Sequence, residues 1–293
     1  MSYQIRSSQE PNIDLTNPSE LANSTSEFRR KDINALNIHY RNGSIEMFGD
    51  VFKNMPNFLY NTSLLLRDAD KDLLFNVFDN DTLTNGWNDD ERALARYISN
   101  VLIKERADAE KRERVTDSFV NFLLGLLRFN SYPFSLELKV DSYFQVYNKV
   151  VTSEIDFSIW KERLYVIIDE DKHIHNVKKY TWWGEYQIAG ELLASAFVNH
   201  EKIRGGYSYQ SLFALRVIGT RFTFYRAKID SGYLNSLSEG FPINKMYIFR
   251  YPVWDQSVDY IPCLDYTDPG QRRQVIEIML RIKNFVIQNK TVT

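Results

Sequence analysis

Three observations in the sequence predict a mixed α/β fold. Residues 115–127 carry Phe119, Val120, Phe122, Leu123, Leu126 and Leu127 as a stripe of helical period. Runs rich in β-branched and aromatic residues follow between residues 134 and 168, and a second apolar-faced helix comes after them, before further strands. The order helix, strands, helix, strand describes a mixed sheet with helices against it, and not a doubly wound sheet.

Residues 1–30 are rich in Ser, Asn, Thr, Glu and Pro and lack apolar periodicity, which predicts a mobile arm. Short apolar pieces follow (Leu36–Tyr40, Ile45–Phe48, Phe58–Leu66), separated by Asn-Gly and Met-Pro-Asn turn signals, as in a small hairpin or cover. Residues 67–79 and 89–128 read as helical, the second starting at Asn88-Asp89-Asp90-Glu91. The run at 104–114 alternates in sign, as on a solvated helix face. Strands are predicted at Phe134–Val140, Tyr143–Val151, Ile155–Trp160 and Leu164–Ile168. Glu185–Asn199 is predicted as a helix with Ile188, Leu192, Leu193, Ala196 and Phe197 on one side. Residues 212–229 read as a hairpin, in which Gly219-Thr220 puts Gly where a type II′ turn requires it. Ile243–Tyr251 is a further strand, and Asp268-Pro269-Gly270 opens a last amphipathic helix to about Asn289. The chain thus divides into an arm (1–30), a mostly helical extension (31–109) and a main domain (110–293).

The composition, 44% hydrophobic over 293 residues, suits one large or two small domains with a real core. No apolar run approaches the roughly 18 residues of a membrane span, and the N-terminus lacks the apolar stretch of a secretory signal. The single cysteine, Cys263, rules out an intramolecular disulfide and suits a reducing compartment. An intracellular protein, nuclear or cytoplasmic, is the expectation. A net charge of −2 gives no general pull toward nucleic acid, although residues 151–293 are mildly basic, with 18 Lys and Arg against 16 Asp and Glu.

Chemistry concentrates in residues 154–172. Asp156 sits on one apolar run, and the run Leu164–Ile168 leads into Glu170-x-Lys172. Side chains alternate along a strand, so Glu170 and Lys172 point the same way, and Asp169 and Asp171 to the other face. In a hairpin centred near Glu162, Asp156 lies opposite Ile168 and next to Glu170 on one face. That arrangement requires an odd-numbered loop, because one step of register flips every side chain. Two carboxylates and a lysine at a sheet end suit metal-assisted phosphodiester hydrolysis. Asp156, Glu170 and the backbone carbonyl of Asp171 would hold Mg²⁺ or Mn²⁺, with Lys172 orienting water and stabilising charge. The competing reading is a strand that ends in solvated charges. Carboxylates are depleted inside strands, and Asp156 favours the site.

The segment 173–183 offers Lys178 and Lys179 for phosphate and Tyr180, Trp182 and Trp183 for stacking on unpaired bases, with at least one Trp expected to pack the next helix onto the sheet. His173, His175 and His200 have no paired ligand spacing for zinc. Solvated strand faces are the default for Arg216, Arg221 and Arg226. Nucleophile-elbow, phosphate-loop and dinucleotide glycine patterns are absent from the sequence.

Asp156, Glu170 and Lys172, followed by EYQIAGELLASAF (185–197), resemble the PD-(D/E)XK nuclease superfamily over about residues 110–230. The resemblance implies a restriction-endonuclease-like αβββαβ core, here with a mainly helical N-terminal extension and a C-terminal helix. It implies a Gln on the following helix that faces the site, matched by Gln187, which reads equally as a capping or surface residue. It also implies a Glu on the helix before the sheet, best matched by Glu113 and less well by Asp117. Glu191 shares Gln187's face and is expected to be exposed. The combination of VIIDEDK, YQIAGELLASAF and VIGTRFTFYRAKI looks like fungal members related to Crinkler-type nuclease domains. Ile155 replaces the proline that often precedes the first Asp, and no Crinkler-type targeting segment is read in residues 1–60. The implied activity is a metal-dependent nuclease with a nucleic-acid substrate, DNA ahead of RNA. The alternative is an inactive module of the same fold that grips nucleic acid or a protein partner, with an effector role as a third reading.

Overall fold

The apolar runs between residues 134 and 251 pair into one mixed sheet, to which Ile38–Asn42 and Leu264–Asp265 add strands. In a computed structural model, residues 14–50, 62–107, 113–162, 164–172, 184–203, 206–254, 262–288 and 292 are described, with backbone alone at Glu113 and 166–172. In chain order the regular elements are α1 (Arg30–Ala35), β1 (Ile38–Asn42), α2 (Lys71–Asn76), α3 (Asp89–Arg106), α4 (Glu113–Leu126), β2 (Phe134–Val146), β3 (Lys149–Lys161), β4 (Leu164–Lys172), α5 (Glu185–Lys202), β5 (Tyr209–Ile218), β6 (Arg221–Asp230), α6 (Ser231–Ser236), β7 (Met246–Tyr251), β8 (Leu264–Asp265) and α7 (Pro269–Ile287). The order α4-β2-β3-β4-α5-β5 matches the αβββαβ order expected.

Among the described residues the strands run β1-β7-β6-β5-β4-β3-β2, with β8 added beside β6. The β4/β5 and β1/β7 pairs are parallel and the rest antiparallel. One face of the sheet packs Phe157, Phe213, Leu215 and Phe224 against α3, α4 and α7. The other packs Ala214, Tyr225, Ala227 and Ile248 against α1, α5 and α6.

Local signals fix several elements where the sequence predicts them. Asn88 caps α3 through a capping box: its Oδ1 accepts from Glu91 N at 2.9 Å, and Glu91 Oε2 accepts from Asn88 N at 2.8 Å. Asp268 Oδ1 accepts from Gln271 N at the start of α7. Gly219 has φ 64 in the two-residue turn between Ile218 and Arg221, as type II′ geometry demands of its first central residue.

Elsewhere the structure departs from the expectation. The predicted helix over 89–128 is two helices, α3 and α4, and the predicted helix over 67–79 shortens to α2, which Asp70 caps. The predicted strands 134–140 and 143–151 belong to one long hairpin. β2 continues through Asp141-Ser142, and the turn is Tyr147-Asn148, with Tyr147 at φ 51. Residues 38–42 form no small hairpin: they extend the sheet beside β7.

Residues 1–13 lie outside the described residues, but the rest of the expected arm is packed. Leu21 and Phe28 are buried, and Ser24 bridges Thr152. Gly190 of α5 admits this segment. A Cβ there would stand 2.5 Å from Thr25 Cγ2 and 2.9 Å from Thr25 Cβ.

Candidate active site

The β3–β4 connection decides whether Asp156 and Glu170 share a face. Lys161 pairs with Leu164, so the loop has two residues, an even number, with Glu162 at φ 53. By itself that loop would put Asp156 on the wrong face. A β-bulge restores the parity. Trp160 pairs with Tyr165 and Ile159 with Ile167, which leaves Val166 as the extra residue of β4. The bulge leaves Tyr165 outside the β4–β5 ladder, which begins at Ile167. Asn199, near the end of α5, completes it: its Oδ1 accepts from Tyr165 N at 2.8 Å and its Nδ2 donates to Tyr165 O at 2.9 Å. A buried side-chain amide thus pins the register of the site strand.

Past the bulge, Ser158 lies opposite Ile168, where Asp156 was expected, and the β3–β4 ladder ends at Phe157↔Asp169. One further step along both strands sets Asp156 level with Glu170. β4 stays paired with β5 beyond that point, through Glu170↔Arg216 to Lys172↔Ile218. The strands therefore part at the level of the two carboxylate residues. Ile168 is in register with Ala214, which belongs to the α5-side core. Glu170 and Lys172 fall on rows of that face, and Asp169 and Asp171 on rows of the opposite one, as the alternation predicts.

β3 also changes sides here. Phe157 and Ile159 pack in the α3/α4/α7 core, and Val151 and Ile155 pack in the α5 core. The facing residue of β2, Lys139, has φ 51, and the strand pair turns over at that level. Lys139 Nζ forms an ion pair with Asp156, whose side chain is mostly buried.

α5 lies over this face. Gln187 Nε2 donates to Glu191 Oε1 at 2.8 Å. Glu191, expected to be exposed, is fully buried. α4, which carries Glu113 and Asp117, packs on the other face of the sheet, so Glu113 starts from the opposite layer. Lys178, Lys179, Trp182, and with them Tyr180, Trp183, His173 and His175, lie outside the described residues.

Next to the site is a buried polar cluster that the sequence reading missed. Arg216, in register with Glu170, is 1% exposed instead of solvated, and its Nη2 donates to Thr223 Oγ1 at 3.0 Å. Arg226 is half-buried, and Arg221 bonds Glu105. Glu185, the first residue of α5, accepts from both Nε and Nη2 of Arg250. It also accepts from the Tyr225 hydroxyl at 3.0 Å, and Tyr40 donates to its backbone carbonyl. Burial pushes the Tyr225 phenol far above its ordinary value, against the opposing pull of Arg216, so it stays a donor. Burial works against the charge of Arg250 too, but the Glu185 carboxylate beside it prevails and raises its pKa. A signal for this cluster was present: Arg216 interrupts the apolar run Leu212–Ile218 and Arg250 an otherwise apolar and aromatic strand, where a cation must be paired if buried.

Among the described residues no group of three or more His, Cys, Asp or Glu side chains is placed to hold a metal ion. The rows of β3 and β4 nonetheless supply the oxygen-donor chemistry that Mg²⁺ and Mn²⁺ take, two carboxylate residues with a backbone carbonyl beside them. The fold and site define a mixed α/β protein with acidic residues at a fork between two central strands. Compared with models of known protein families and with curated proteins, the chain finds no match. No helix among the described residues is long and apolar enough to cross a membrane.

Proposed function

We propose that this chain is a divalent-metal-dependent nuclease, acting on DNA ahead of RNA, and a member of the PD-(D/E)XK superfamily that resembles fungal, Crinkler-type domains. The observation that carries the reading is the fork. The β3–β4 ladder ends at Phe157↔Asp169, and the next residue on each strand is a carboxylate, Asp156 and Glu170, with Lys172 two positions on. Asp156, Glu170 and the Asp171 carbonyl are the residues that would hold Mg²⁺ or Mn²⁺. The chemistry such an ion supplies is acidification of a coordinated water and an offset to charge on the phosphate.

The chain's own groups do the rest. Lys172 donates to the attacking water and stabilises the charge that develops on phosphate oxygens. Gln187, held by Glu191, orients water or phosphate from the α5 side. Glu113, the supporting carboxylate that the resemblance implies, would have to reach the fork from the α4 layer, and Lys178, Lys179 and Trp182 contact the strand being cut. An intracellular location, nuclear or cytoplasmic, fits this substrate.

The second reading, an inactive module of the same fold that binds nucleic acid or a protein, has one observation in its favour. Lys139 already sits as an ion-pair partner on Asp156. Cleavage of single- and double-stranded DNA and RNA with Mg²⁺ or Mn²⁺ separates the two. Wild-type cutting that Glu170→Ala and Lys172→Ala abolish supports the nuclease. Folded but inert wild type supports the module.

A further inference from the structure

β1, β7, β6 and β5 carry six Arg or Lys and a single carboxylate, Asp230. On the α7 side of these strands the register forms two rows. His39, Tyr247 and Lys228 face one another across β1, β7 and β6, and Arg41, Phe249 and Arg226 form the next row. α7 reaches as far as the second row, where Arg226 sits 4.6 Å from the Phe285 ring centroid. The first row lies beyond that cover. His39, Arg41, Lys228 and Lys245 are exposed.

The cations are held in place by rings. Arg41 Cζ is 3.8 Å from the Tyr247 centroid, with the His39 ring 6.0 Å away. Lys228 Nζ is 3.5 Å from the Tyr209 centroid. Asp230, at the end of β6, caps α6 by accepting from Gly232 N at 2.7 Å and is the one negative charge on these strands. Burial first, and then the charges of Lys245 and Arg41, hold the His39 imidazole below its ordinary value.

We propose that this exposed ladder, His39, Arg41, Tyr247, Lys228 and Tyr209, is a second nucleic-acid contact that binds the phosphates of a single strand on the sheet face opposite the candidate site. Arg41 on β1 and Lys228 on β6 stand two strand spacings apart, roughly 10 Å, with Tyr247 of β7 between the strands, a spread of charge around an aromatic ring that fits a chain-like polyanion. The choice of nucleic acid among polyanions rests on the nuclease reading above. A strand bound here would be anchored outside the catalytic fork, so that affinity and cleavage separate.

The test uses the full chain and a fluorescent oligothymidylate of roughly 20 nucleotides, with chelator present so that no cutting intervenes. Anisotropy is followed against salt for wild type and for Arg41→Gln/Lys228→Gln, with folding checked by circular dichroism. Loss of two phosphate contacts lowers the salt slope by about 1.4, which at physiological salt is about tenfold weaker binding. Arg41→Lys/Lys228→Arg, which keeps both charges, should restore most of the affinity. Cleavage of a small phosphodiester, bis(p-nitrophenyl) phosphate, should be equal in wild type and the Gln variant. If neither cleaves it, the nuclease reading fails while the binding result stands. The ladder proposal is overturned if wild type does not bind the oligonucleotide, or if the Gln variant binds it as tightly with the same slope. It is also overturned if the substitutions abolish binding to phosphatidylserine vesicles and leave oligonucleotide binding intact.

Discussion

Glu185→Gln isolates the contribution of the buried cluster beside the site. Glu185 and Arg250 are 2% and 4% exposed, and the carboxylate takes both guanidinium nitrogens and the Tyr225 hydroxyl. Glutamine keeps the shape and removes the charge, which leaves Arg250 buried without its counter-ion. Breaking such a pair costs about 3–5 kcal/mol. That is a large part of the roughly 5–15 kcal/mol that holds a domain folded. Urea unfolding followed by circular dichroism at pH 7 should show a lower midpoint with an unchanged slope. Adding Arg250→Met removes the orphaned charge, so the double variant should recover at least about 1 kcal/mol relative to the sum of the singles. A loss below about 1 kcal/mol for Glu185→Gln, or strict additivity in the double variant, would refute the buried-pair reasoning.

Three further outcomes are expected. Gly190→Ala gains about 0.5–1 kcal/mol of helix propensity, but its methyl would meet Thr25 Cβ at 2.9 Å, and overpacking of about 1–3 kcal/mol prevails, so thermal melting should fall. Lys283 donates to Leu127 O, and burial first, then Arg128, lowers its pKa to about 8. Between about pH 8 and the ordinary 10.5 the unfolded chain then binds the more protons, so stability should rise with pH across that window, and Lys283→Met should flatten the rise in urea midpoints measured across it. Lys139→Ala removes the ion-pair partner of Asp156. An ion pair of about 0.2–1 kcal/mol converts to a fall of up to about fivefold in the Mg²⁺ needed for half-maximal cleavage, with stability nearly unchanged, read by metal titration of the reaction.

The legible parts of the fold were those fixed by neighbours in sequence. Asn88, Gly219 and Asp268 each act on backbone within four residues, so α3, the β5–β6 turn and α7 could be placed from local chemistry. The alternation that puts Glu170 and Lys172 on one face was equally local. What the sequence hid depends on distant partners. The parity of the β3–β4 hairpin turns on the Val166 bulge, whose neighbour Tyr165 is completed by Asn199, 34 residues away. Arg250 is buried because Glu185 meets it across 65 residues, and Leu21 and Phe28 are ordered because Gly190 leaves room for their segment. Tyr147-Asn148 escaped notice as a turn because an aromatic residue occupies the φ 51 position.

The most direct test of the fork is metal-dependent cleavage by wild type, Asp156→Asn, Glu170→Gln and Lys172→Met, on single- and double-stranded DNA and on RNA, each variant first shown to unfold at the wild-type midpoint. A nuclease built on Asp156, Glu170 and Lys172 cuts only as wild type and only with Mg²⁺ or Mn²⁺, and each substitution lowers the rate by about 10²-fold or more. Cutting that persists in all three variants, or that continues in chelator, would contradict it.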